Sequence, residues 1–297
     1  MLVMAARFFA TLALIFTLFL RNLSVLPACH APDVRLKAVL VADVHADADF
    51  TRERMNGMRE MFAALGRTQN DADTLVMAGD LTNCGDYFEY VNLLNCLNVY
   101  CRIPDRVPEM GNHDSWNHND DPDYVKAERY FKAFCAFNGI YTDKVYYEKR
   151  VNGVPFLVLG VEAGDFGEPY HSDAQLNWFE QELNVAVAGD QPVFVVCHKD
   201  LRGLGAAAGR ISQILTAASE TAKAPIVFVS GHYHSIGENT FRRQNDKLFW
   251  LNLPSMQYTD DRGLAFIAEV TAHTVILTGV YILPDEPAEG YCYKIDY

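Results

Sequence analysis

The sequence has no pair of cysteines at the spacing of a zinc-finger or redox motif. Its cysteines are odd in number and scattered: Cys29, Cys84, Cys96, Cys101, Cys135, Cys197 and Cys292. A disulfide framework cannot be read from them, and a structural zinc site built on thiolates is disfavoured. Cys96 and Cys101 are close enough in sequence to pair if the chain is exported, which the sequence leaves open.

Positive charge is also scarce. The chain has 25 Lys and Arg against 38 Asp and Glu, for a formal net charge of −13. The basic pairs Lys149–Arg150 and Arg242–Arg243 are short and have neutral or acidic neighbours. Because a chain this acidic repels polyanions, we expect no nucleic-acid polymer among its partners.

An apolar run long enough to span a membrane is missing as well. Phe8–Leu20 is apolar or small throughout but covers only 13 residues, between Arg7 and Arg21, whereas a span needs about 20. This pattern is typical of a signal peptide. We therefore predict that residues 1–31 are a signal peptide or membrane anchor and that the protein is exported or membrane-anchored. The stretch LPAC, which ends at Cys29, weakly resembles a lipoprotein site, so cleavage, lipidation and retention stay open. A mis-assigned start codon and a buried helix are the alternatives to export.

Beyond residue 31, strand-like runs alternate with helix-like runs. Arg35–Val44 predicts a buried strand, and helical periodicity predicts helices over Thr51–Gly66, Asp86–Asn98 and Asp173–Ala186. The order begins βαβαβ and continues as strands with fewer helices, which is typical of a layered α/β domain with partly antiparallel sheets. We expect one domain over residues 35–285 and a C-terminal tail over 286–297.

Side chains that bind metals recur just after the predicted strands. They are Asp43 and His45, Asp80, Asn112 with His113 and Asp114, His198, and His232 with His234. Because ligands of open α/β sheets gather at the carboxyl ends of strands, we expect these side chains to meet. Carboxylate, amide and imidazole groups suit divalent ions such as Mn, Fe, Zn or Mg. Gly231 would let the loop before the last two histidines turn sharply.

The blocks D-x-H, G-D, G-N-H-D, H and G-H-x-H follow one another from Asp43 to His234, and together they resemble the calcineurin-like metallophosphoesterase superfamily. The resemblance implies a four-layer α/β-β/α sandwich of mixed sheets with a centre of two divalent metal ions. It implies a hydrolase that cleaves a small-molecule phosphomonoester or phosphodiester with a hydroxide that bridges the metals. The alternative is a non-catalytic metal-binding scaffold on the same fold, which the completeness of the motifs disfavours.

The resemblance also implies a role for each side chain. One metal would be held by Asp43, His45 and His234, and Asp80 would bridge both metals. The second metal would be completed by Asn112, His198 and His232. His113 would act on the substrate oxygen, and Asp114 would orient the His113 ring.

Two departures from related families indicate which branch of the superfamily the chain resembles. Asn83 stands where purple acid phosphatases have a tyrosine ligand, and Cys84 stands where protein Ser/Thr phosphatases have an arginine that clamps phosphate. The blocks look more like the cyclic-nucleotide phosphodiesterase and broad-specificity branch. Segment 115–131 is predicted to be either a cap, with Trp116 and His118 near the leaving group, or a loop that leads into a helix.

Overall fold

Two six-stranded sheets form the centre of the molecule. The computed structural model describes residues 2–24, 33–115, 124–162, 171–258 and 262–297. The strands of these residues are, in chain order, β1 (Leu36–Val41), β2 (Thr74–Met77), β3 (Asp105–Pro108), β4 (Tyr147–Val151), β5 (Val154–Leu159), β6 (Val193–Cys197), β7 (Ile226–Ser230), β8 (Phe241–Arg243), β9 (Leu248–Asn252), β10 (Leu264–Val270), β11 (Thr274–Tyr281) and β12 (Glu286–Asp296). The helices are α1 (Leu2–Ser24), α2 (Glu53–Thr68), α3 (Tyr87–Tyr100), α4 (Tyr124–Phe137), α5 (Asp173–Val187) and α6 (Ala208–Thr221).

Each sheet is mixed and has parallel strands at its centre. The first sheet has the order β12-β11-β10-β1-β2-β3, and the second has the order β4-β5-β6-β7-β9-β8. Strand β1 is parallel to β2, with Val39 opposite Leu75, and antiparallel to β10, with Val39 opposite Ile267. In the second sheet β5, β6, β7 and β9 run parallel. The loops that follow the parallel strands therefore emerge at one edge of each sheet.

Apolar side chains cover both faces of the sheets. Val39, Phe156 and Phe194 belong to one apolar cluster that includes both sheets together with the buried faces of α2 and α3. A second cluster packs Phe179 of α5 and Ile211 of α6 against the second sheet. This burial on both faces explains why the parallel strands read as continuous apolar runs. The layers are helices, sheet, sheet and helices, which is the four-layer α/β-β/α arrangement that the resemblance implies.

The helices begin and end close to the residues that the sequence predicts. α2 buries Met55, Met58 and Phe62, the face that its periodicity indicates. α3 begins with a capping box, in which Asp86 accepts a hydrogen bond from the Phe88 amide and Glu89 accepts one from the Asp86 amide. α6 was not among the predicted helices, although it buries Ile211 and Leu215 at helical spacing. Cys96 and Cys101, the pair that the sequence left open, are buried free thiols.

The N-terminal segment forms helix α1, which packs along α3. Thr17 is buried and donates a hydrogen bond from its hydroxyl to Asn95 Oδ1 at 2.8 Å, and the Arg7 guanidinium lies 5.2 Å from the centre of the Tyr87 ring. Leu14 is also buried on this side. Among the described residues, no helix combines the length and the apolar character needed to cross a membrane. The region expected to hold a cleavage or lipidation site, residues 25–32, lies outside the described residues.

Residues 286–297, which the sequence separates as a C-terminal tail, belong to the fold. They form β12, the edge strand of the first sheet, which pairs Ile295 with Val275 and Tyr293 with Leu277 of β11. Ile295 is buried, whereas Lys294 beside it is exposed. Tyr291, Tyr293 and Ile295 face the core and alternate with the exposed Cys292, Lys294 and Asp296. This is the pattern of an edge strand with one solvated face, so the expectation of a tail is corrected. Of the cap predicted over 115–131, Trp116 and His118 lie outside the described residues.

The burial of Ile295 predicts that β12 contributes to stability. We expect Ile295→Ala to lower the free energy of unfolding by about 2–5 kcal/mol, because it removes a buried aliphatic side chain. The matched control Lys294→Ala, on the exposed face of the same strand, should change it by about 0.5 kcal/mol or less. Urea unfolding followed by circular dichroism measures both. Equal stability of the two variants would show that β12 behaves as a tail in solution.

Candidate metal centre

Metal-binding side chains gather where the parallel strands of both sheets end. Asp43 follows β1, Asp80 follows β2, and His198 follows β6. The loops continue the pairing of their strands, since the His45 amide donates to the Asp80 carbonyl at 2.9 Å. The two sheets are joined at this edge, because the His232 amide donates to Asp43 Oδ2 at 2.9 Å. The site is therefore built across both sheets.

The backbone is left-handed at five of the seven residues expected to bind metal. The φ angle is 53° at Asp43, 47° at His45, 48° at Asp80, 75° at His232 and 50° at His234. A residue with a side chain carries about 1–3 kcal/mol of strain in such a conformation, and the strain persists only where the surrounding structure enforces it. Its concentration at one edge of the molecule indicates a functional constraint.

The first group of ligands consists of Asp43, His45 and His234. Nε2 of His234 lies 3.0 Å from Asp43 Oδ1 and 3.2 Å from Nε2 of His45. Nε2 of His45 lies 3.9 Å from the same carboxylate oxygen. One oxygen and two ring nitrogens thus face a common point, and their spacing suits a single cation.

The second group consists of Asp80, His198 and His232. Nε2 of His198 lies 3.0 Å from Asp80 Oδ2 but lacks hydrogen-bond geometry. On the other side of the ring, Nδ1 faces the Ala78 carbonyl at 2.9 Å. That carbonyl fixes the proton on Nδ1 and leaves the Nε2 lone pair for a metal.

Asn112 and Asp80 complete the arrangement that the motifs indicate. Asn112 Oδ1 is buried and has no hydrogen-bond partner among the described residues, which fits an oxygen reserved for a cation. Asp80 lies between the two groups, because its Oδ2 is 3.0 Å from His198 Nε2 and 3.9 Å from His45 Nε2. The donor set of carboxylate, amide and imidazole therefore fits two neighbouring divalent ions.

Glycines make room for the two carboxylates. A Cβ atom on Gly231 would lie 2.7 Å from Asp43 Oδ2 and 2.6 Å from the Ala42 side chain, and one on Gly111 would collide with Asp80. In the turn expected at Gly231, the positive φ angles lie at His232 and His234. Gly231 is thus required for close approach of the Asp43 carboxylate.

Burial and mutual charge set the protonation of the ligands. Burial lowers the pKa of His45 to about 3 and that of His232 to about 3, so both imidazoles are neutral. Burial also disfavours a charged His198, but Asp80 and Asp43 outweigh it and raise its pKa to about 10. The pKa of Asp80 is lowered although the group is buried, because the protonated His198 stabilises its charge. In the metal-free protein a proton on His198 therefore compensates the buried carboxylates.

His113 lies beside the ligands, and its ring is held by a different group from the expected one. The ring stands edge-on to His45, with centroids 4.7 Å apart, and its Nδ1 lies 2.8 Å from the backbone oxygen of Asn83. The prediction that Asp114 orients this ring is wrong. Asp114 accepts hydrogen bonds from the amides of Leu81, Thr82 and Gly111 and from the Thr82 hydroxyl. It joins the loops after β2 and β3, which carry Asp80, Asn112 and His113.

Tyr258 is a site residue that the sequence motifs do not reveal. Its ring stacks on the His234 imidazole with centroids 5.1 Å apart and meets His45 edge-on at 5.2 Å. The ring is partly exposed, at 43%. Tyr258 follows the loop after β9 and belongs to none of the metal-binding motifs, so only the tertiary structure shows that it lies at the site.

Comparison with known proteins identifies the family of the chain and relatives of its fold. A family model described as calcineurin-like phosphoesterase matches residues 36–245. The fold is similar to that of a dimetal phosphatase from Danio rerio, with a TM-score of 0.63 and 13% identity, over 89% of this chain and 100% of that chain. It is also similar to purple acid phosphatase PPD1 from yellow lupin (Lupinus luteus), with a TM-score of 0.59 and 13% identity, over 88% of this chain and 53% of that chain. No curated protein sequence matches the chain.

Metal binding should strengthen as the pH rises. The raised pKa of His198, about 10, means that this imidazole is protonated at neutral pH, and the proton must leave before Nε2 binds a metal. Each pH unit gained below about 10 should therefore raise the affinity for Mn²⁺ by up to about tenfold. His45 and His232 are already neutral and release no proton.

Calorimetric titration of the metal-free protein with Mn²⁺, in buffers of different ionisation enthalpy, measures both affinity and proton release. The variant His198→Asn is the control and should release about one proton fewer. An affinity that is the same at about pH 6.5 and about pH 8 would contradict the protonation assigned to His198.

Proposed function

The chain belongs to the calcineurin-like phosphoesterase family, and from this premise we propose that it is a two-metal hydrolase that cleaves phosphomonoester or phosphodiester bonds. The observation that carries the proposal is the pair of adjoining ligand groups around Asp43 and Asp80. The two ligand groups are neighbours, and the Asp80 carboxylate lies between them. This arrangement matches the requirement for two metals that act on one phosphoryl group.

Two divalent ions bound at these residues would polarise the phosphoryl oxygens and supply an activated water at neutral pH. Mn, Fe, Zn and Mg all suit the donor set. The first ion would be held by Asp43, His45 and His234, and the second by Asn112, His198 and His232. Asp80 would contact both.

His113 is the side chain of this chain that we assign to proton transfer. Its Nδ1 is engaged by the Asn83 carbonyl at 2.8 Å, so Nε2 is the nitrogen that can give a proton to a departing oxygen. Its ring is partly exposed, whereas the neighbouring His45 is buried. Partial exposure beside the ligands is what a group that must contact substrate requires.

A non-catalytic metal-binding scaffold on the same fold is the second candidate. Such a scaffold could lose ligands or its proton donor without consequence. The described site keeps both ligand groups, the orphaned oxygen of Asn112 and an oriented His113. These features favour the enzyme.

We also propose that residues 1–31 direct the protein out of the cytoplasm or to a membrane surface. Support comes from the side of α1 that faces away from α3. Leu12, Ile15, Phe16 and Phe19 are exposed there, Phe16 by 62%. Apolar side chains of this kind on one face of a helix suit a lipid interface or a targeting receptor better than water.

Replacing His113 should separate chemistry from metal binding. His113→Ala should keep the bound metals, because the proposed ligands remain, and should slow hydrolysis by about 10²–10⁴-fold. The loss should be larger for an alkyl ester than for a nitrophenyl ester, because nitrophenolate leaves without a proton. Elemental analysis and rates on both esters, after reconstitution with Mn²⁺ or Zn²⁺, provide the measurement.

The exposed His273 offers a matched control, and His273→Ala should leave the rates and metal content unchanged. If His113→Ala loses a metal, or slows both esters equally, His113 is a ligand or a ground-state binder. A wild-type protein that holds metal but hydrolyses neither monoesters nor diesters would favour the scaffold.

Fusion to a reporter tests the proposed destination. Residues 1–31 joined to a reporter that is active only outside the cytoplasm should give activity, because the apolar run flanked by arginines is recognised for export. The same reporter joined to residues 32–60 is the control and should stay inactive. Retention of the first fusion in the cytoplasm would contradict the assignment.

A further inference from the structure

Arg54 stands at the rim of the metal centre, although it belongs to no motif. It lies in the first turn of α2, and its Nη1 donates to Asn83 Oδ1 at 2.9 Å. Its guanidinium carbon lies 4.9 Å from the centre of the Tyr258 ring. The side chain is partly exposed, so these contacts hold it in place while part of it faces solvent.

The two contacts of Arg54 place it beside opposite parts of the site. Through Tyr258 it is one side chain away from His234, on which that ring stacks at 5.1 Å. Through Asn83 it is one residue away from His113, whose Nδ1 lies 2.8 Å from the Asn83 backbone oxygen. The guanidinium is therefore separated by a single residue from the first ligand group and by a single residue from the proposed proton donor.

Among the described residues, no carboxylate lies within ion-pairing distance of the Arg54 guanidinium. Its hydrogen bond within this part of the chain goes to the neutral side-chain amide of Asn83. Its neighbour Arg52 behaves differently, because that guanidinium pairs with Asp47 Oδ2 at 2.6 Å. In a chain of net charge −13, a cation that is held in place without a carboxylate partner in the described part of the chain is suited to an anion brought in by the substrate.

The chemistry of the anion follows from the number of phosphoryl oxygens that remain once two of them face the metals. A phosphomonoester has three non-bridging oxygens and carries up to two negative charges, whereas a phosphodiester has two such oxygens and one charge. Once two oxygens face the metals, only the monoester has another anionic oxygen to offer. A guanidinium presents several N–H donors in one plane and binds such an oxygen with a charge-assisted hydrogen bond.

We propose that Arg54, held by Asn83 and Tyr258, forms an anion subsite that binds the free oxygen of a phosphomonoester and so makes the site selective for monoesters over diesters. This inference rests on the proposed function for its substrate class. The subsite supplies from α2 the positive charge whose usual position in protein phosphatases is occupied here by Cys84. The side-chain amide of Asn83, in the position of a tyrosine ligand in purple acid phosphatases, serves to anchor it.

The test compares Arg54→Ala with Arg59→Ala. Arg59 lies on the same helix, and its guanidinium contacts Phe50 and Asn56, so its replacement removes the same charge away from the ligands. With the Mn²⁺-loaded protein, Arg54→Ala should raise KM for p-nitrophenyl phosphate and Kd for inorganic phosphate by about 10- to 100-fold. KM for bis(p-nitrophenyl) phosphate should change by less than about threefold, and Arg59→Ala should change none of these values.

A second variant allows the proposal to be tested even if Arg54→Ala is unstable. Arg54→Gln retains a donor for Asn83 and removes the charge, so it should lose phosphate binding to the same degree while its thermal unfolding and metal content match those of the wild type. Equal losses for monoester and diester, or unchanged phosphate binding in either Arg54 variant, would overturn the proposal.

Calorimetry with inorganic phosphate separates this inference from the proposed function. If the wild type hydrolyses neither ester, the proposed function is wrong, and loss of phosphate binding in Arg54→Gln still supports the anion subsite. If the metal-loaded wild type does not bind inorganic phosphate, the anion subsite is wrong whatever the hydrolysis rates are.

Discussion

The burial of two carboxylates among imidazole nitrogens is the interaction on which the rest of the site depends. Asp43 and Asp80 are almost completely removed from water, and ring nitrogens approach them at 3.0–3.9 Å. Charges buried in this way are costly unless a counter-charge lies between them. Bound cations satisfy that requirement, and a proton on His198 substitutes for part of it when no metal is bound. The strained backbone of the ligand residues is tolerated because rigid strands on both sides hold it.

The loops of the site are tied together by groups that never touch the substrate. Asp114 collects hydrogen bonds from Leu81, Thr82 and Gly111 and so fixes the loop that carries Asp80 to the loop that carries His113. The close approach of Gly231 to Asp43 connects the other sheet to the same point. Ligand spacing is therefore a property of the junction between the sheets, and the glycines contribute by their lack of a side chain.

The sequence is sufficient to predict the ligands at the strand ends, because each of them directly follows an apolar run and belongs to a short motif of metal-binding residue types. The helices with regular apolar spacing are predicted within a few residues for the same local reason. The edge strand at 286–296 escapes prediction because Pro287 and Gly290 interrupt its first half, so that its alternation of inward and exposed side chains begins only at Tyr291. The partner of the His113 ring, and the placement of Tyr258 and Arg54, depend on contacts between distant loops. Asp114 is the neighbour of His113 in sequence and was therefore expected to orient its ring. In the structure the ring lies against the Asn83 carbonyl instead.

Helix α1 shields part of the surface of α3. Leu14 and Thr11 line a small cavity, about 90 Å³, together with Tyr90, Leu94 and Phe134. A chain shortened to begin after the N-terminal helix would leave these aromatic and aliphatic side chains in water. An exposed apolar patch of this kind promotes self-association. The degree of self-association of a purified shortened chain would then measure the effect of uncovering the α3 surface. This effect does not depend on whether the metal centre is intact.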